Sequence, residues 1–444
     1  MTKTPRNGSI EDLPLSHEQR RWRFRVLIST YFAYAGYYLV RRVFTISKTT
    51  LAMEYGIGFD GVANIWTSYL VAYMIGQFVH SFLGRKWGPR ILLLGGLGTS
   101  IAINIVFGFA NSYETFMVFM FFNGLVQAAG WPGAVGGVAE WLRDKDRGTI
   151  MGIWSTSYVV GSIVVKMLGG FLLLHFTESH GPRYGVRYAF FGCTLIAFMI
   201  WWLVFFWQRN KPEDLGLDPI VDQERTDGRS VKASSAERVS FREYAKLFMN
   251  PVVPMMGLSY FCIKFLRYAL DSWLPTFLDL QGMDVAKAAW YSSIFDWAGM
   301  VGAIAAGFVL DRFCRGRWEM LCLLLGVGTV MGYIAVLMFG TNPVLLAIAF
   351  GLVGFMLYGP DTLLCGAGSV VVAGQRNAVA VAGLVNGMGS IGPVVQEQVI
   401  GRLLEGKGPE AAIRNANVLG LSMSMVFVVF MCIIYWRSRK GIVS

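Results

Sequence analysis

Charge is what this 444-residue chain has least of: Asp, Glu, Lys and Arg together make up 15% of it, against about a quarter in an ordinary globular protein. Hydrophobic residues account for 55% and the mean hydropathy is +0.49, more apolar surface than a water-facing exterior can hide. A soluble enzyme and a disordered chain are both excluded. Cysteine is sparse as well. The six present (Cys193, Cys262, Cys314, Cys322, Cys365, Cys432) lie in or at the ends of apolar segments, and none has C-x-x-C spacing, so neither a disulfide scaffold nor a cysteine metal site is expected. The four histidines are scattered (His17, His80, His175, His180). There is no G-x-x-x-x-G-K-[ST], no H-E-x-x-H and no nucleophile elbow with a placed histidine, which removes the parts of an ATP-driven pump or a hydrolase. No catalytic residues, metal or cofactor are expected. Nor does the net charge of +11 imply a nucleic-acid partner, because the basic residues fall in short loops between apolar runs. Residues 1–25 are polar and basic without a short apolar core, so the first span is expected to be retained rather than cleaved.

What is abundant is apolar sequence in long runs. Twelve stretches reach the roughly 20 residues that cross a bilayer as a helix: 26–44, 62–83, 91–110, 115–138, 149–175, 187–208, 251–279, 289–310, 319–339, 343–372, 378–404 and 414–436. Backbone polar groups in lipid must bond within their own segment, so these are helices. One long polar loop, 209–250, divides them six and six. The expected organisation is an all-α membrane protein: an amino-terminal segment 1–25, a six-helix half 26–208, a linker 209–250, a second half 251–436 and a tail 437–444. Of the 39 Lys and Arg residues, 27 lie in the termini, the linker and the loops after even-numbered spans, and seven lie in the remaining loops. Both termini and the linker are therefore expected in the cytoplasm, with the protein in the cell (inner) membrane. Two related halves with a site between them is the architecture of a secondary transporter.

Five cations fit neither side: Arg41, Arg42, Lys166, Lys264 and Arg267. A charge at bilayer depth costs about 2.5–3.5 kcal/mol on insertion scales and needs a partner. In the first span, Tyr34, Tyr37, Tyr38 and Arg41 are spaced i, i+3, i+4 and i+7, which places three phenols and a guanidinium on one helical face. Arg42 points about 100° away and is expected to snorkel to the outer interface. Spans one to six hold acidic residues only near their ends, so Arg41 points to an anionic ligand. In the seventh span Lys264 and Arg267 are one turn apart, with Asp271 four residues beyond Arg267; an Arg267–Asp271 bridge is the structural alternative. Asp296 could pair with Lys264. Aligning the first helix of each half puts Arg41 one residue from Arg267. Two such arginines with a lysine beside one suit a dianionic phosphate, since a guanidinium fork matches two oxygens at once. Trp131, Trp154 and Tyr158 either contact an organic group or simply pack. Lys166, on one face with Ser155 and Ser162, either lines the cavity or snorkels.

The segments "YYLVRR", "GWPG" (130–133), "RGTIMGIWS" (147–155), "KPEDLGL" (211–217), "FLRYALDSWLPTFL" (265–278), "GFVLDRFCRGR" (307–317) and "YGPDTLL" (358–364) resemble the organophosphate:phosphate antiporters of the major facilitator superfamily. This group includes glycerol-3-phosphate, hexose-phosphate and phosphoglycerate transporters, a hexose-phosphate sensor and sugar-phosphate exchangers. The resemblance runs from about residue 31 to 395. It implies a rocker-switch exchanger in which Arg41 and Arg267 grip the phosphoryl group beside Tyr38, with small organophosphates and inorganic phosphate as partners, lipid around it and a functional monomer. The chain departs from the glycerol-3-phosphate pattern: Gln77 stands for a lysine, Tyr158 for a histidine and Lys264 for a tyrosine. In the loop after the second span Arg85 replaces the usual acidic residue, whereas the second half keeps Asp311 with Arg312, an asymmetric gate. The alternatives are a membrane sensor of external sugar phosphate and a proton-coupled carrier of another organic anion.

Overall fold

The computed structural model describes residues 15–142, 150, 153–154, 156–220, 249–314, 317–339, 343–364, 368–369, 371–372, 381, 384–405 and 408–440. The elements used below are α1 (His17–Ile46), α2 (Lys48–Glu54), α3 (Phe59–Phe109), α4 (Tyr113–Gln127), α5 (Gly130–Ala139), α6 (Ser157–His180), α7 (Pro182–Trp207), α8 (Val252–Leu280), α9 (Val285–Arg312), α10 (Trp318–Met338), α11 (Pro343–Leu363), α12 (Ile391–Glu405) and α13 (Pro409–Arg439). The described residues are helical, with no strand among them.

Local chemistry sets several boundaries. Ser16 caps α1 through a capping box with Gln19, and the Asp284 side chain accepts from the Lys287 amide at the start of α9. Two apolar runs, 62–83 and 91–110, are the two helical segments of α3, which break and meet at Gly88. Its φ of +77° is in the left-handed region, and Pro89 restarts the helix. The run 115–138 is divided instead into α4 and α5, and α6 carries one π-helical turn, Val165–Gly169, around Lys166.

Among the described residues seven helices are long and apolar enough to cross a membrane. α1 and α8, the first helices of the two halves, are not among them, because they hold the buried arginines. The described helices fall into the two halves read from the sequence.

Within the halves α1 packs on α7 and on Ser157–Val164, α3 on α4, α9 on α11, and α10 on α13. Between the halves the contacts gather at the end of the molecule remote from both ends of the chain, where α12 lies against α3, α6 against α9, and α1 and α2 against α8. There Phe44, Trp66 and Phe116 of the first half share one buried cluster with Trp273, Phe277, Ile400 and Leu404 of the second. Polar contacts reinforce it: Gln398 Nε2 donates to Asn64 Oδ1 (2.9 Å) and Thr67 Oγ1 (2.8 Å), and Glu405 Oε2 accepts from the Phe59 amide (2.6 Å). Toward the other end each half keeps its own apolar cluster, with Tyr158 packed against both. One end is sealed, and the site lies on the far side of that seal.

Candidate functional site

Arg41 sits near the middle of α1, 7% exposed. Its Nε donates to Gln127 Oε1 at 2.8 Å, and the Tyr69 hydroxyl donates to the same oxygen at 3.0 Å. Gln127 Nε2 is in turn held by Ser100 Oγ at 2.8 Å, so a neutral chain across α3 and α4 orients the guanidinium. Phenols surround it: Tyr38, Tyr73 and Tyr69 have ring centres 4.7, 4.9 and 5.6 Å from its central carbon. Among the described residues no carboxylate pairs with Arg41, and its Nη2 is buried without a hydrogen-bond acceptor. A buried guanidinium held only by an amide and π-faces carries an uncompensated charge.

Arg267 comes to the same place from α8. Its guanidinium carbon lies 4.5 Å from the Tyr358 ring centre, 5.5 Å from Tyr158 and 5.9 Å from Tyr268. Tyr158 and Tyr38 face each other at 5.8 Å, so one pair of rings connects the two arginines across the boundary between halves. Tyr268 is an electrostatic neighbour of both guanidinium groups and of Tyr38 and Tyr73. Lys264, one turn before Arg267, is half-buried and donates to Asn386 Oδ1 (2.7 Å) and Ser390 Oγ (3.1 Å). Tyr34 meets Tyr38 and Trp131 edge to face and Trp154 at a tilt, with ring centres 5.5–5.7 Å apart. Trp131 is 41% exposed, whereas Trp154 is buried with its Nε1 donating to Thr30 Oγ1 at 3.3 Å.

Several sequence expectations are corrected. Arg42 does not snorkel: it is buried and paired with Asp271 of α8, whose carbonyl it also reaches at 3.2 Å. The Arg267–Asp271 bridge therefore does not form. Asp271 is turned toward α1, and Arg267 pairs instead with Asp361 of α11. An i,i+4 bridge contributes only about 0.2–0.5 kcal/mol, and burial across helices overrides it. Asp296 does not pair with Lys264; it accepts from Lys166 Nζ at 2.6 Å. Lys166 thus neither lines the cavity nor snorkels, being fully buried in the contact between halves. Tyr37 turns into α3 instead. Its position is about 100° around the helix from Tyr38, and its hydroxyl donates to the carbonyls of Leu92 (3.3 Å) and Leu93 (3.1 Å) of α3. Gly96 makes room there, since a Cβ on it would lie 2.3 Å from that hydroxyl. Arg312 is exposed at the end of α9; Ser155 and the side chains of Asp311 and Arg85 lie outside the described residues. Gln77, in α3, is half-buried.

Sequence reasoning missed four groups. Gln127 orients Arg41, and Asp361 occupies Arg267. Lys48, assigned to a loop, is completely buried: it pairs with Glu397 of α12, donates to Ser272 Oγ at 2.7 Å and lies 3.6 Å from the Trp273 ring centre. The signal for Asp361 and Glu397 was present, since each is a carboxylate inside an apolar run and demands a partner as a buried cation does.

The Major Facilitator Superfamily profile matches residues 30–396. Relatives by sequence include the glycerol-3-phosphate transporter of Bacillus subtilis, 27% identical over 87% of each chain. Sugar phosphate exchanger 3 of Mus musculus is 26% identical over 86% of this chain and 87% of its own. The fold is shared with a bacterial homologue of the human lysosomal transporter Spinster, crystallised inward-facing and unoccupied: the TM-score is 0.72 and the identity 18%, over 93% of this chain and 95% of that one. Matched along most of its length and sharing that fold, the chain belongs to the Major Facilitator Superfamily, a family of transporters rather than enzymes, and resembles its organophosphate:phosphate antiporters.

Proposed function

We propose that the protein exchanges a small organophosphate for inorganic phosphate by alternating access, with Arg41, Arg267, Lys264 and Tyr38 binding the phosphoryl group and Tyr34, Tyr158 and Trp131 facing the organic part. The observation that carries this reading is Arg41, a guanidinium buried at the boundary of the halves with a free donor and no carboxylate among the described residues. A dianion supplies the missing charge, and the guanidinium fork matches its oxygens. The names of the relatives above point to the same chemistry.

Exchange follows from electrostatics. Sealing the chamber around a bare cation removes solvent without compensation, at a cost of several kcal/mol per ion. A bound dianion offsets that cost, so the loaded carrier reorients faster than the empty one. The excess of Lys and Arg in the termini, the linker 209–250 and the loops after even-numbered spans supports cytoplasmic termini and insertion in the cell membrane. In that orientation the sealed end is the outer one.

The test is a proteoliposome assay with labelled phosphate inside. Efflux is expected to be fast with phosphate or glycerol 3-phosphate outside and slow without them. Equal efflux into empty buffer sinks the exchange reading, and tight binding with no efflux at all assigns the protein to sensing instead.

A further inference from the structure

We propose that Asp361 is a built-in competitor of phosphate for Arg267, a residue that sets how tightly the carrier holds its cargo and how strictly it exchanges. The inference rests on the reading of the central site as an organophosphate and phosphate site.

Four buried or nearly buried ion pairs are present among the described residues. Three of them join the halves: Arg42 to Asp271, Lys48 to Glu397 and Lys166 to Asp296. Arg267 and Asp361 both belong to the second half, linking α8 to α11, so this pair does not hold the seal. It is also only half made. Arg267 Nη1 meets Asp361 Oδ2, while Arg267 Nε and Asp361 Oδ1 are buried without partners among the described residues. A carboxylate placed to fix an arginine in an apolar interior takes both forks. Here a donor and an acceptor are left unsatisfied, the condition under which an incoming anion with three oxygens gains most by displacing the carboxylate.

The surroundings fit such a displacement. Asp361 follows Pro360 within α11, and a proline there leaves the helical turn one hydrogen bond short. On the same turn Tyr358 stacks on Arg267, and its hydroxyl lies 3.4 Å from Asp296 Oδ1. Asp296 also accepts from Lys166 across the halves. A change of partner at Arg267 is therefore one residue away from a pair that holds the outer seal.

Two consequences follow. Phosphate must replace Asp361, so binding is weaker than two free arginines would give. With no cargo bound, Asp361 neutralises Arg267, which lowers the cost of closing the empty chamber and permits some reorientation without exchange.

The experiment is calorimetric titration of inorganic phosphate into the purified full-length protein in nanodiscs, with unidirectional efflux measured in proteoliposomes. Asp361→Asn is expected to tighten phosphate binding at least about tenfold, as a charge-assisted bond released from competition would, and to slow efflux into phosphate-free buffer. Both changes should vanish in an Arg267→Gln background, which a merely structural role for Asp361 would not require. Unchanged or weaker binding by a folded Asp361→Asn protein overturns the inference while wild-type binding and exchange leave the functional reading standing. If Asp361→Asn does not fold, Asp361→Ser carries the same measurement; failure of both to fold identifies Asp361 as structural and also overturns it. A wild-type protein that binds neither phosphate nor glycerol 3-phosphate defeats the functional reading itself.

Discussion

The two arginines occupy matching places in the first helices of the two halves, yet their surroundings differ in kind. Arg41 is oriented by an amide, Gln127, and caged by phenols; Arg267 is paired with a carboxylate, Asp361. In a low-dielectric interior that is the difference between a charge awaiting a partner and one already half neutralised. The first helix of each half brings one arginine to the same cluster of phenols. The packing of each half left Arg41 without a carboxylate among the described residues and gave Arg267 one, Asp361. On the proposed function, Arg41 is the primary phosphate ligand and Arg267 an adjustable one.

The comparison breaks most sharply at Arg41. Replacing it by lysine keeps the charge but removes the fork and the Gln127 contact, and exchange in proteoliposomes should fall about a hundredfold or more with the folded protein still in the membrane. Near-normal exchange would place the cargo elsewhere. Next comes the contrast between the central site and the seal. Glu397→Gln strands Lys48, which is fully buried, and should destabilise the protein by about 3–5 kcal/mol; the check is a thermal melt in detergent, with Lys48→Met added to recover stability. Lys264→Ala, which removes a half-buried ammonium bonded to Asn386 and Ser390, should weaken phosphate binding by about threefold to tenfold in the same calorimetric assay. The smallest effect belongs to Tyr37→Phe. It should cost about 1 kcal/mol of stability or less and leave exchange rates unchanged, whereas Tyr38→Phe, beside Arg41, should alter phosphate affinity.

The three ion pairs that join the halves share a polarity: every cation comes from the first half and every acid from the second. The positions of Arg42 and Lys166 in the sequence mark both as anomalous, but Arg42 does not snorkel and Lys166 neither lines a cavity nor snorkels. Each cation had a carboxylate waiting on a helix more than a hundred residues away. Asp271 and Asp296 were correctly singled out and matched to the wrong partners, because proximity along a helix is readable from spacing and proximity across a fold is not. Lys48 was hidden for a different reason: it follows the end of an apolar run, where a lysine normally reaches water, and only the docking of α2 against α8 and α12 buries it.

Composition and the spacing of apolar runs by themselves determined a helical membrane protein of two related halves, because lipid leaves a chain with so little charge no other way to satisfy its backbone. The helical period placed Tyr34, Tyr38 and Arg41 on one face. What the tertiary structure alone decided was charge pairing. Which buried cations are neutralised, and which lack a carboxylate among the described residues, depends on helices brought together from distant parts of the chain, and Coulomb energy in that interior is set by distances of a few ångströms.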